Sequence, residues 1–255
     1  MLYRFVVFLF VCLLPVSVCS FGGDGCGSGE CTDCHSLSTE VALKLLPPGA
    51  DSVDSVKLSD VGGLWEVRGH AKGQLFTLYI DFSKKYLIAG KVLRLRDGVD
   101  LSRSVDVNEL NSAGAIVIGD AQASVKVFVF TDVKCSHCQK LHGELHKVVK
   151  QNPDVAFYIK LVPFISDRET VKSIVCSASN DVLDAAMTGK VVKNDAVSVC
   201  DGTAVDETLA FAKRWNIRST PTLILPDGHM VLGNRSATQL EEMLAPFIAK
   251  VDGKK

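Results

Sequence analysis

This chain lacks an excess of either charge. Its 28 lysines and arginines face 29 aspartates and glutamates, a formal net charge of −1. So even a balance gives no reason to invoke a nucleic-acid partner. Also missing is an apolar run of the ~20 residues that a comfortable membrane span needs; the apolar stretch Phe5–Leu14 falls short. Nor does Ser52–Leu95 carry a convergent catalytic constellation, and the lone His70 within it reads as an ordinary surface residue.

What is present begins with a leader. Arg4 supplies a basic n-region, Phe5–Leu14 an apolar core, and Val18-Cys19-Ser20 a small-residue cleavage site. Residues 1–20 therefore read as a signal peptide cut near Ser20. Cys19 raises lipoprotein processing, to which Val18 just before it is poorly suited. Loss of Arg4 with the leader leaves the mature chain at about −2. Of nine cysteines, seven survive this cut: Cys26, Cys31, Cys34, Cys135, Cys138, Cys176 and Cys200. An exported chain meets oxidising surroundings, where such cysteines form bridges or do redox work. Seven is odd, so one thiol at least is free, cofactor- or metal-linked, or paired with another chain.

The stretch Val125–Gln151 organises the rest. A β-branched and aromatic strand, Val125–Phe130, runs through a turn into Cys135-Ser136-His137-Cys138. Beyond it Leu141, Leu145, Val148 and Val149 recur at helical spacing until Pro153 ends the pattern. Cys135 thus sits at a helix N-terminus, with Cys138 one turn further in. Unpaired amides and the positive dipole end stabilise a thiolate there, taking a thiol from ~8.5 to roughly 3.5–7.5. His137 offers the Cys135 sulfur a positive charge or a hydrogen bond, and Cys138 can resolve a mixed disulfide. The alternatives are a structural bridge or a zinc half-site, since Cys138, His142 and His146 stack at i, i+4 and i+8. The strand-to-helix junction favours the redox reading, with no metal.

Before this core lie three regions. Residues 21–50 are cysteine-rich: glycine-rich Phe21–Gly29, then Cys31-Thr32-Asp33-Cys34-His35, then a short helix over Ser36–Leu46 that Pro47-Pro48-Gly49 breaks. Two cysteines two residues apart followed by histidine match the c-type haem attachment pattern. A second dithiol, a local bridge, or a metal with Cys26 fits the same residues, and nothing nearby promises an apolar haem pocket. Residues 51–98 turn to period two, with strands expected at Leu64–His70, Leu75–Phe82 and Tyr86–Leu95 in a small antiparallel meander. A module this small buries a limited core, so self-association through an edge or face is expected. Residues 99–120 read as a linker, modestly helical over Val99–Asn111, leading through Gly114–Asp120 into the strand at Val125.

After Pro153 a second buried strand, Val155–Pro163, makes a β-α-β unit with parallel strands. Residues 166–214 form a helical insertion holding Cys176 and Cys200. A bridge between them would close a loop of about 25 residues, worth roughly 3–3.5 kcal/mol; a second redox pair is the alternative. In Arg218-Ser219-Thr220-Pro221-Thr222 a proline enters a strand it cannot donate to, which suggests a cis bond in a fixed turn. Strands at Leu223–Leu225 and Met230–Gly233 and a helix over Thr238–Lys250 close the chain.

Strand, two-cysteine helix, strand, helical insertion, Thr-Pro, hairpin and helix is the order of a thioredoxin fold, a mixed α/β (α+β) class occupying 121–255. Within it the chain resembles the bacterial periplasmic DsbC/DsbG disulfide isomerases. Phe130-Thr131-Asp132, Cys135–Cys138 followed by Gln139-Lys140-Leu141-His142, the Cys176…Cys200 pair and Thr220-Pro221 carry the likeness. It implies that Cys135 is the nucleophile, Cys138 the resolving thiol, and Cys176–Cys200 a stable bridge. It also implies that Pro221 is a cis-proline beside the disulfide, and that Thr220 offers backbone hydrogen bonds to substrate. Further implications are a periplasmic homodimer formed by the β module, a cleft for misfolded exported chains, and a DsbD-type membrane reductant. Two features depart from the pattern. His137 before the second cysteine resembles the oxidase DsbA, and the Cys31–His35 segment is an addition.

Overall fold

The structure is a computed structural model and describes residues 36–190 and 200–252. The leader, Cys26, and Cys31, Cys34 and His35 with their haem or second-dithiol readings lie outside the described residues. The first described element is α1 (Thr39–Leu45), capped where Val41 N–H donates to Ser38 Oγ. Leu37, Ala42 and Leu46 then pack on Trp65, Val67 and Ile80 of the sheet that follows.

That sheet is a four-stranded antiparallel meander in the order β1 (Ser52–Leu58), β2 (Leu64–Ala71), β3 (Gln74–Asp81), β4 (Leu87–Ile88). Lys72-Gly73 joins β2 to β3 with both residues at positive φ, 51° and 71°, as a two-residue hairpin turn requires. Gly69 is obligatory for another reason: a Cβ there would collide with the Ser52 carbonyl across the β1–β2 pair. The period-two pattern had not singled out Ser52–Leu58, whose Asp54, Ser55 and Lys57 blur the alternation. His70 lies on β2, half-buried, with Nδ1 2.8 Å from the Asp54 carboxylate.

The expected strand Tyr86–Leu95 shrinks to Leu87–Ile88, for local reasons. The Asp81 carboxylate accepts the N–H groups of Ser83, Lys85 and Tyr86, curling the chain before it can pair. Further on, Gly98 N–H closes a turn onto the Arg94 carbonyl, with Asp97 accepting from Arg94 Nε and Val99 N–H. Leu93 and Leu95 are left facing solvent, so no buried face rewards a longer ladder.

The second sheet has five strands, β5 (Ile116–Ile118), β6 (Val125–Thr131), β7 (Val155–Leu161), β8 (Thr222–Ile224) and β9 (Met230–Leu232), ordered β5-β7-β6-β8-β9. Only β6 and β7 are parallel, joined by α2 (Ser136–Gln151). The insertion supplies α3 (Arg168–Ser177), α4 (Asn180–Met187) and α5 (Thr203–Arg214), and α6 (Ala237–Asp252) closes the chain. Ile116–Ile118, read from sequence as an approach to the sheet, is its edge strand, antiparallel to β7. The linker is less helical than expected. It holds one 3-10 turn, Val107–Glu109, because Arg103–Val105 instead hydrogen-bonds along the β8–β9 hairpin, Met230 N–H to Arg103 O and Val105 N–H to Gly228 O.

Alternation along β6 divides the core. Val125, Val127 and Val129 meet Leu141, Leu145 and Val148 of α2 and Leu240, Met243 and Leu244 of α6. Phe130 points the other way, toward Ala212 and Ile217, with its ring stacked 5.5 Å from that of Phe211. Strand β7 is buried at every position, as an interior strand covered on both faces must be. Gly119 (φ 101°) lets the chain turn beneath α2, since a Cβ would come within 2.8 Å of the Val155 carbonyl. These contacts hold the C-terminal end of β6 and the N-terminus of α2 in one place. Leu145 is central to them, and Leu145→Ala is expected to cost about 2–5 kcal/mol in urea unfolding followed by circular dichroism.

Candidate active site

Cys135 is the N-cap of α2. Its backbone is extended (φ −83°, ψ 115°), so its side chain lies before the first helical turn, whose amides have no carbonyl partner within the helix. Its N–H bonds the Asp132 carbonyl at 3.1 Å, and Gln139 N–H bonds the Cys135 carbonyl at 3.0 Å. Cys138, one turn later, is 1% exposed and Cys135 6%. Both are free thiols. Opposite them Thr220-Pro221 is a cis peptide, with Pro221 buried at the entry to β8. The Thr220 carbonyl faces Cys135, whose thiol donates to it at 3.4 Å.

The two sulfurs are pushed apart electrostatically. Burial is the largest single influence on Cys135 and raises its pKa. The Cys138 thiol, the Cys138 and His137 amides and the Thr220 side chain together outweigh that burial and hold Cys135 below the usual thiol range. Cys138 goes the other way: burial first, then its hydrogen bond to Cys135, push it up to about 11. One sulfur is thus poised as the anion and its neighbour as the proton donor that steadies it. His137 is exposed, and its contribution comes through the backbone N–H.

Asp132 is fully buried three residues before Cys135. Its carboxylate accepts from the N–H groups of Lys134 (2.9 Å), Ile165 (2.7 Å) and Ser166 (2.9 Å), and from the Ser166 hydroxyl (2.5 Å). Burial raises its pKa, but these four donors prevail and keep it ionised below the usual carboxylate range. The cysteine turn is thereby tied to the loop after β7. The sequence marks Asp132 only as part of a motif, because its clamping donors Ile165 and Ser166 lie 33 and 34 residues further along the chain. The loop itself exposes Phe164 and Ile165.

The remaining candidates lie elsewhere. Cys176, in α3, is bridged to Cys200, just before α5, with Cα atoms 5.7 Å apart. The set Cys138, His142 and His146 does not converge. Cys138 hydrogen-bonds with Cys135 and Thr131, while both histidines turn to Asp184 of α4. Asp184 sits in the insertion, distant in sequence, and had no local signal to mark it.

A family model described as a thioredoxin-like domain matches residues 114–248, more than half of the chain. The chain belongs to the thioredoxin-like family. It is a thiol–disulfide oxidoreductase. This thioredoxin-like protein is similar to a probable thiol:disulfide interchange protein DsbC of Bordetella avium, 29% identical over 202 residues, 74% of this chain and 68% of that one. It is also similar to DsbC of Salmonella typhimurium, 24% identical over 231 residues, covering 86% and 92%. The catalytic domain of Proteus mirabilis ScsC matches at a TM-score of 0.48 and 22% identity, over 55% of this chain and 92% of that one.

In this thioredoxin-like site, iodoacetamide should alkylate Cys135 with a midpoint pH below the ~8.5 of a free thiol, whereas Cys138 stays protonated to about 11. Cys138→Ala removes a donor to the thiolate, and the Cys135 midpoint should rise. Asp132→Ala leaves buried donors unpaired and should cost about 2–4 kcal/mol in urea unfolding. Because the Asp132 pKa is depressed on folding, its contribution is present at neutral pH. It should fade only as pH falls through that depressed value.

Proposed function

We propose that this protein is a disulfide isomerase of the bacterial periplasm, acting on misfolded exported proteins. The observation that carries the reading is the placement of the two sulfurs: Cys135 at the head of α2 facing the cis Thr220-Pro221 peptide, and Cys138 1% exposed one turn behind it, where burial pushes its thiol up to about 11. The Cys135 thiolate attacks a substrate disulfide, forming a mixed disulfide and releasing a substrate thiolate. That thiolate, or a second one, attacks elsewhere in the substrate. A final substrate thiolate attacks the substrate sulfur of the mixed disulfide and expels Cys135, so electrons balance with no external oxidant. Cys138, 1% exposed and disfavoured as an anion by burial, competes with substrate thiolates for the mixed disulfide.

Other features fit the same reading. Phe164 and Ile165 present apolar surface on the loop clamped to the cysteine turn, which suits an unfolded chain. At the end of the meander Tyr86, Leu87 and Ile88 are exposed together, an apolar patch suited to a second copy in a homodimer. The leader-like first twenty residues and the DsbC relatives support a periplasmic setting. In it a DsbD-type membrane reductant would keep Cys135 and Cys138 reduced. Among the described residues no helix is long and apolar enough to cross a membrane.

Refolding of scrambled ribonuclease tests the chemistry. Cys135→Ala should fall to the uncatalysed rate, while Cys138→Ala should keep a substantial part of the isomerase activity. A Cys138→Ala variant as inactive as Cys135→Ala, with efficient oxidation of reduced ribonuclease by the unsubstituted protein, would favour a DsbA-like oxidase instead. For assembly, Leu87→Glu with Ile88→Glu should turn a sedimenting dimer into a monomer.

A further inference from the structure

We propose that His142, His146 and Asp184 form a binding site for a divalent transition-metal ion of the zinc class, separate from the dithiol. The two histidines lie one turn apart on α2, with ring centroids 4.9 Å apart and planes nearly perpendicular at 80°. Both aim Nε2 at the same oxygen of Asp184: Oδ1 is 2.7 Å from His142 and 3.2 Å from His146. The three donor atoms lie within 4.8 Å of one another. An ion bound at ~2.0–2.2 Å from imidazole nitrogen and carboxylate oxygen needs separations of this order, so small side-chain rotations suffice. Two neutral imidazoles and one carboxylate suit zinc, and equally cobalt, nickel or copper(II), better than magnesium or calcium.

The ligands are held in place before any ion arrives. His142 is buried on α2 between Leu141 and Leu145, both 1% exposed. Asp184 follows Leu183, which is 0% exposed, and Met187 anchors the same helix in the core shared with α2. Ser179 Oγ caps α4 by accepting from Val182 N–H. Access is nevertheless open, since the side chains of His146 and Asp184 are 42% and 44% exposed. An ion can therefore enter from solvent and keep water in a remaining coordination position. Ordinary imidazole–carboxylate bonding would need only one histidine. Here two histidines from one helix and a carboxylate from another converge on one point. A bound ion would staple the catalytic helix to the insertion.

Thiols compete for zinc, so the test uses the full mature protein with Cys135–Cys138 oxidised and other free thiols alkylated. After chelator treatment, Zn²⁺ is titrated by calorimetry and Co²⁺ by visible absorption. The expected results are one ion taken up at this site and cobalt d–d bands without a thiolate charge-transfer band. His146→Ala and Asp184→Asn, both at partly exposed positions, should each weaken binding at least ~10-fold. They should also abolish the rise in melting temperature that Zn²⁺ gives the unsubstituted protein. Isotherms of the unsubstituted protein and His146→Ala that superimpose, or uptake confined to thiolate ligands, would overturn the proposal.

Discussion

The site rests on a contest at one sulfur. Burial works against the Cys135 thiolate, and the amides at the start of α2, with the Cys138 thiol, work for it and prevail. With Cys135 only 6% exposed, water offers the anion little, and the protein supplies hydrogen bonds of its own. The donors help only while their geometry is kept, which ties the chemistry to everything that holds α2 at the end of β6.

That support comes in layers. Valines alternate along β6 so that one face grips α2 and α6, and Phe130 on the other face engages α5. Strand β7 is covered throughout and keeps β6 interior. Asp132 then fastens the cysteine turn to the loop after β7 with a buried, ionised carboxylate. The cis Thr220-Pro221 peptide brings a carbonyl to the nucleophile from a third direction. Hydrophobic packing sets where the helix lies, and polar contacts set how the sulfurs behave.

The insertion does more than fill space. The Cys176–Cys200 bridge ties α3 to the start of α5, and α4 lays Asp184 beside the catalytic helix. One helix therefore carries the dithiol at its first turn and a histidine pair in its second and third. The meander, by contrast, brings no cysteine among its strands. It meets the catalytic half where Arg68 bonds the Ser104 hydroxyl and where Arg103–Val105 runs beside the β8–β9 hairpin.

What the sequence by itself determined is local: the β-branched and aromatic strand Val125–Phe130, the helix with Cys135 at its head, and a proline poised to enter a strand. These follow from backbone preferences and side-chain spacing within a few residues. The Tyr86–Leu95 pattern misled because alternation describes a strand only where a face is buried, and here Asp81 and the Arg94–Gly98 turn bend the chain away. Only the tertiary structure decided the rest. It gave Asp132 four donors, set Thr220 against Cys135, buried Cys138 and joined two histidines to Asp184. Each of these depends on groups far apart in the chain, and on a balance of burial against hydrogen bonding that exists only once the core has closed.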